Sequence, residues 1–185
     1  ADPADELFRR LSPSEIPPAV NTLKGAPSVI TVLSENLDPE IIKAAELLTL
    51  SLGLKHNKFV DEKELDRHML AKNDILVIGH PRRTDLLQKI PAGVIIQPDS
   101  FSLNEKLYAQ PFDTFLGVFE HPADSDRIAV LFMPLSPQYA EMVARKITHY
   151  GKYSYLVFQR GKNLDKGIWP VMTSPLVYAW NHTGN

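Results

Sequence analysis

The chain contains no cysteine, which excludes disulfides, thiolate metal sites and thiol nucleophiles together. It also lacks a surplus of either charge. Its 20 Lys and Arg stand against 22 Asp and Glu, a formal net charge of −2 at pH 7, so there is no basic field to attract a phosphate backbone or an anionic lipid surface. A nucleic-acid partner is therefore not expected. No apolar run approaches the roughly 18–20 residues that span a bilayer, and the N-terminus lacks a basic-then-apolar signal pattern, so a soluble segment with no membrane span is expected.

The sequence signatures that bond-making chemistry demands are missing as well. No pair of histidines stands four apart in an HExxH arrangement, which removes a zinc peptidase site from this segment. No GxSxG elbow is present to expose a serine nucleophile. The stretch Ser34-Glu35-Asn36-Leu37-Asp38 after the first predicted strand has no glycine and two acids, which repel a dinucleotide pyrophosphate. Gly151-Lys152 and Gly161-Lys162 lack the other residues of a phosphate-binding loop. Asp124-Ser125-Asp126 imitates the start of a calcium loop, but Arg127 and a strand follow where further oxygen ligands are needed. His56, His68, His121 and His149 fall in different predicted elements, so no metal and no cofactor are expected.

What the chain does have is an ordinary globular balance, 44% hydrophobic and 23% charged over 185 residues, enough for one core. Residues 1–27 hold five prolines and read as an extended lead-in or linker that docks; residues 28–185 read as a single α/β domain. The start Ala1-Asp2-Pro3, without Met, suggests a piece of a larger protein. Val29-Ile30-Thr31-Val32-Leu33, Ile75-Leu76-Val77-Ile78 and the shorter Val94-Ile95-Ile96 are continuous apolar runs, as expected of strands covered on both faces of a parallel sheet.

Between these runs, Asp38-Pro39-Glu40 supplies an N-cap, a first-turn proline and an acid for a buried helix that Gly53 ends. Asp61 and Glu64 read as a capping box opening a second helix that runs to about Ala71. A third, short helix is expected over 84–89, stopped by Pro91. Runs at 114–120 and 127–133 form a hairpin. Ser136-Pro137 then opens the clearest helix, with Glu141 and Arg145 paired on its outer side, and Gly151 ends it. Tyr155-Leu156-Val157-Phe158 is a further strand, followed by a turn at Gly161-Lys162-Asn163. Strands and helices alternating in this order predict a three-layer α/β sandwich, with a mixed, mainly parallel sheet of about six strands and helices packed on it.

Two side-chain groups and one acidic loop are candidate sites. His80-Pro81-Arg82-Arg83 with Asp85 follows the carboxyl end of a buried strand, where open α/β sheets place ligands; His80 would act as acid or base and the arginines would clamp an anion. The bland alternative is a proline turn whose charges are solvated or cap the next helix. The acidic loop at 34–38 reads mainly as the cap that Asp38 provides. Near the end, Tyr150, Tyr153, Tyr155, Phe158, Trp169, Tyr178 and Trp180 are interleaved with Lys152, Arg160, Lys162 and Lys166. Tyr153, Lys162 and Trp169 are the candidates there for stacking on a sugar or gripping a peptide, against the commoner role of such residues in a core or a domain seam. Asn181-His182-Thr183 matches the glycosylation acceptor pattern.

The segment from His149-Tyr150-Gly151-Lys152-Tyr153-Ser154-Tyr155-Leu156-Val157-Phe158 through Gly161-Lys162-Asn163-Leu164-Asp165-Lys166-Gly167-Ile168-Trp169-Pro170 resembles the C-terminal region of large exported bacterial proteins related to the gluzincin aminopeptidase family. The likeness runs from the Arg127 strand to Pro170. It implies an accessory α/β module beside a separate zinc-peptidase domain, in a periplasmic or cell-envelope protein. No metal or catalytic residue carries over, because the zinc-binding motif has no counterpart in this chain. The leading expectation is thus a non-catalytic accessory module that docks on a neighbouring domain or another protein. The alternatives are a small α/β hydrolase or phosphoryl-handling enzyme using His80, Arg82, Arg83 and Asp85, and a carbohydrate- or peptide-binding module using the C-terminal aromatics.

Overall fold

The longest apolar runs of the chain become strands because their side chains find cover on both sides at once. In the computed structural model, which describes residues 16–170, β1 (Val29–Leu33) pairs in parallel with both β2 (Asn57–Asp61) and β3 (Asp74–Ile78). β3 pairs in parallel with β8 (Ile128–Pro134). Beyond β8 the sheet turns antiparallel through β7 (Asp113–Glu120), β9 (Tyr155–Gln159) and β10 (Lys162–Gly167). The spatial order is β10-β9-β7-β8-β3-β1-β2, seven strands with a parallel half and an antiparallel half. The mixed sheet and the β7–β8 hairpin follow the sequence pattern, and the antiparallel share is larger than the apolar runs suggested.

Alternation along each strand sorts the core into two layers. Leu76, Ile78, Val130, Phe132, Leu116, Val118, Leu156 and Phe158 face α1 (Pro39–Leu52) and α3 (Ala140–Lys146). Ala44, Ala45, Ala140 and Ala144 are all buried there, small enough for the two helices to lie against each other and the sheet. On the opposite face Ile75, Val77, Leu131, Met133, Phe115, Phe119 and Val157 meet α2 (Arg67–Lys72) and a small three-stranded sheet. Three layers result, with helices on one face and a helix plus the small sheet on the other.

Local capping explains where the helices begin and end. Asp38 accepts a hydrogen bond from the Glu40 N–H at 2.8 Å, Pro39 occupies the first turn, and Gly53 adopts φ +59° to close α1. Ser136 accepts from the Gln138 N–H, but the helix it opens is composite: a 3-10 turn at Pro137–Tyr139, then α3, then a 3-10 turn at Ile147–Tyr150. Glu141 on α3 reaches across to Lys43 on α1 at 3.4 Å, tying the helix pair together where an intrahelical partner in Arg145 was expected.

Four local expectations are corrected. Val94–Gln97 is not a strand of the main sheet; it is β4, antiparallel to β5 (Ser100–Leu103), which pairs with β6 (Lys106–Tyr108). A tight turn at Asn104 and Glu105, both at positive φ, folds this ribbon, whose inward Val94, Phe101, Leu103 and Tyr108 cover the core while Ile95 and Leu107 stay exposed. The Asp61–Glu64 capping box does not form, because Asp61 ends β2, Glu62–Glu64 is one 3-10 turn, and Asp66 caps α2 through the Met69 N–H at 2.8 Å. The 84–89 helix is a 3-10 turn at Thr84–Leu87. The turn after β9 is Arg160-Gly161, both at positive φ, so Lys162 already belongs to β10.

Part of the proline-rich lead-in is packed. Val20–Gly25 forms a 3-10 turn with Val20 and Leu23 in the helical-face core, and Ser154 Oγ donates to the Pro18 carbonyl. Tyr178, Trp180 and the 181–183 acceptor pattern lie outside the described residues.

Candidate functional site

The connections of this sheet create a crevice where they diverge. The chain leaves β1 over one face through α1 to reach β2, then crosses the other face through α2 to reach β3 on the far side of β1. The loops after β1 and β3 therefore meet at the carboxyl edge, the place where open α/β sheets hold ligands. This brings the acidic 34–38 loop and the His80–Asp85 group side by side, which their separation in sequence did not reveal.

The charged groups that meet there bond to one another. Arg83 forks onto Asp85, Nε to Oδ1 at 3.1 Å and Nη2 to Oδ2 at 2.7 Å, while its Nη1 donates to the carbonyls of Glu62 at 3.0 Å and of Leu65. A planar guanidinium with donors on both sides is the group that can join a carboxylate to a turn in this way. The hydrogen bond from Arg83 holds the Asp85 carboxyl below its ordinary range, and the same contact raises the guanidinium. Glu62, buried in the turn between β2 and α2, accepts from the Arg82 N–H at 3.0 and 3.2 Å. The Arg82 side chain meets Glu35 from the β1 loop at 3.3 Å in an exposed pair. Pro81 is buried and turns the chain. His80 is half-buried beside these groups.

Gly79 allows this closure. At φ +76° it lies under Leu37 of the neighbouring loop, whose Cδ2 would be 2.5 Å from a Cβ at that position. Ser34 Oγ is buried at the same place, with no hydrogen-bond partner among the described residues. An open cleft of about 390 Å³ lies on the β2 side, lined by Ser34, Glu35, Asn36, Ile42, Asp61 and Lys63. His80, Arg83 and Asp85 are not among its walls.

The C-terminal aromatics are divided between the faces of the sheet. Tyr150 and Tyr153 pack against the helical-face core, with Lys166 Nζ 5.6 and 5.4 Å from their ring centres. Trp169 and Tyr155 belong to the opposite face, their rings stacked 4.5 Å apart, and the Trp169 Nε1 donates to the Val118 carbonyl at 2.7 Å. Lys162 is exposed on the edge strand β10. Tyr153, Lys162 and Trp169 thus form no common surface.

One group was missed by sequence reasoning. His121 is fully buried at the end of β7, and its Nδ1 accepts from the Ala123 and Asp124 N–H groups at 3.0 and 3.1 Å. Two donors on Nδ1 require the ring to be neutral with its proton on Nε2, which is buried and, among the described residues, has no partner at hydrogen-bonding geometry. Burial depresses the ring's affinity for a second proton, opposed by the Asn73 and Leu70 backbone and by the Asp74 and Asp124 carboxylates. Asp124 and Asp74 in turn hold Arg127, at 3.1 and 3.5 Å, so the turn after β7 is one network.

The stability linked to this ring is present above its unfolded value of 6.5 and is lost as pH falls below it, because the unfolded chain binds the proton and the native ring resists it. Urea midpoints of the parent and of His121→Asn, whose amide oxygen still accepts from the turn, should therefore diverge in pH dependence between roughly pH 7 and 5. Parallel curves would show that the ring does not couple to folding.

Among the described residues no group of three or more His, Asp and Glu side chains is placed to hold a metal ion, and no helix is long and apolar enough to cross a membrane. No family model matches the chain, and no curated protein matches it.

Proposed function

We propose that this chain is a non-catalytic interaction module, contributing a docking surface to a larger protein, with the resemblance of residues 127–170 to the C-terminal region of exported, peptidase-related proteins as its context. The observation that carries the reading is the engagement of the carboxyl-edge charges with one another. Arg83, Asp85, the Glu62–Leu65 turn, Arg82 and Glu35 form bonds that join three loops. A guanidinium whose donors are bonded to a carboxylate and to carbonyls has little left to offer an anionic substrate. Large apolar side chains, by contrast, are exposed: Leu50, Ile95, Leu107 and Ile168. Ile95 and Leu107 flank Ser102 across the outer face of the small sheet, and apolar side chains grouped in this way mark contacts with other chains.

An enzyme reading draws on the cleft beside Ser34, Asp61 and Lys63, at the carboxyl ends of β1 and β2. The two readings separate in one assay series. The purified chain, with and without added zinc, is expected to turn over no aminoacyl, peptide or phosphomonoester substrate above the buffer rate. Turnover that follows the chain through purification and falls on Ser34→Ala or Lys63→Ala, both in the walls of that cleft, would replace the module reading with the enzyme one.

A further inference from the structure

The two edges of the seven-stranded sheet are built differently. β10 has a register irregularity between Asn163 and Asp165, the kind of bulge that turns an edge away from new partners. β2 pairs with β1 in unbroken register over all five residues, and among the described residues no strand pairs with its other side. The Val29 N–H donates to the His56 carbonyl at 3.4 Å, which sets the phase of the β2 backbone. Alternate residues of a parallel ladder turn their backbone groups to opposite sides. Lys58 and Val60 therefore face β1 like His56, and Asn57, Phe59 and Asp61 turn both N–H and C=O outward. On the α1 side of this edge, Phe59 and Asn57 join Leu50, Leu54, Thr49 and Glu46 around an open groove of about 430 Å³, with Leu50 77% and Phe59 37% exposed.

We infer that this edge binds a second copy of the chain, β2 against β2, antiparallel about a two-fold axis at Phe59. This rests on the interaction-module reading and names its partner. The sequence of the strand selects the pairing. Centred on Phe59, all five strand residues are matched: Phe59 meets Phe59 beside Leu50, the Lys58 stem lies on Val60, and Asn57 meets Asp61. Asn57 Oδ1 already accepts from Thr31 Oγ1 at 2.7 Å, which leaves its amide N–H groups for the Asp61 carboxylate opposite. One step in one direction sets Lys58 against Lys58 in a close non-hydrogen-bonded pair, a destabilising like-charge contact. One step in the other sets Phe59 against Asp61 and leaves Asn57 outside the ladder. The strand is thus complementary to itself in the centred register and frustrated in its neighbours. Five residues a side bury less than the ~1,200 Å² of a standard interface, so the association is weak and depends on concentration.

Sedimentation equilibrium of the full chain, from micromolar to millimolar, tests this. The average mass should climb toward twice that of the monomer. Phe59→Lys, with its fold checked by circular dichroism, should remain monomeric throughout. Asn57→Asp keeps an acceptor for Thr31 but sets carboxylates against each other at two places, and should weaken the dimer about tenfold. Adding Asp61→Asn swaps the pair and should restore it. A wild-type chain that stays monomeric, or a dimer indifferent to these substitutions, overturns the inference. A monomer without catalytic turnover overturns only the choice of partner, whereas turnover overturns the module reading itself.

Discussion

Gly117→Val is expected to destabilise the domain by about 3 kcal/mol or more, through overpacking rather than through lost contacts. Gly117 lies in the middle of β7, between Leu131 of β8 and Tyr155 of β9. A Cβ there would stand 2.5 Å from Phe119 Cζ and 2.7 Å from two ring carbons of Phe115. Neither ring has room to retreat. Phe115 also meets Phe101 at 5.2 Å between centroids, Phe119 meets Trp169 at 6.1 Å, and Trp169 stacks on Tyr155. The missing side chain is what lets this aromatic row close over the sheet. Relief from glycine's backbone entropy returns only about 0.5–1 kcal/mol, which is too little to offset the clash. A urea midpoint unchanged in Gly117→Val would mean that the row slides freely, against its burial on both sides.

Arg83→Ala is expected to cost about 2–3 kcal/mol, for a different reason: it takes the guanidinium donors from the Leu65 carbonyl and the Asp85 carboxylate, and leaves the Glu62 carbonyl with the Leu65 N–H alone. The pair is partly solvated, with side-chain exposures of 27% and 42%, so the figure is kept below that for a buried ion pair. Arg83→Lys should recover little of the loss, since an ammonium cannot serve both sides of the fork. Arg82→Ala removes only the exposed pair with Glu35 and should stay within about 0.5 kcal/mol of the parent. The contribution through Asp85 has a defined pH dependence. Its folded pKa lies below the ordinary 3.8, so that stability is present at neutral pH and disappears as pH falls through the depressed value. Urea denaturation of the three variants at neutral pH, and of the parent and Arg83→Ala in acid, checks both statements.

The parts of this fold that were legible in the sequence are those where burial is symmetrical or a cap is local. β1, β3, β7, β8 and the start of β9 are apolar without alternation because both faces are covered, and Asp38-Pro39 and Gly53 mark the ends of α1 by chemistry within a few residues. What stayed hidden depends on distant partners. β2 and β10 are edge strands whose polar residues give no apolar run, and β5 and β6 are short pieces of a ribbon folded by turns at positive φ. Asp61 and Glu64 had the spacing of a capping box, but the strand claims Asp61 and the intervening Glu62 turns inward to Arg82.

The candidate site was half visible in the same sense. The Arg83–Asp85 pair is two residues apart and was recognisable as a charged group, while its other partners at Glu62 and Leu65 lie about 20 residues away and are brought by tertiary structure alone. The aromatic cluster gave the opposite error of proximity. Residues close in sequence, such as Tyr153 and Tyr155, were divided between two faces once the strand began. His121 offered no signal, since its role comes from accepting the N–H groups of its own turn while fully buried.

A double-mutant cycle on Arg83 and Asp85, read by urea denaturation, tests most directly whether these charges serve the fold. Coupling of about 1 kcal/mol or more is expected, with each single substitution destabilising and the double little worse than Arg83→Ala alone. Independent, near-neutral effects of the two substitutions would instead mean that the fork contributes nothing to folding and that these side chains are held in place for another purpose.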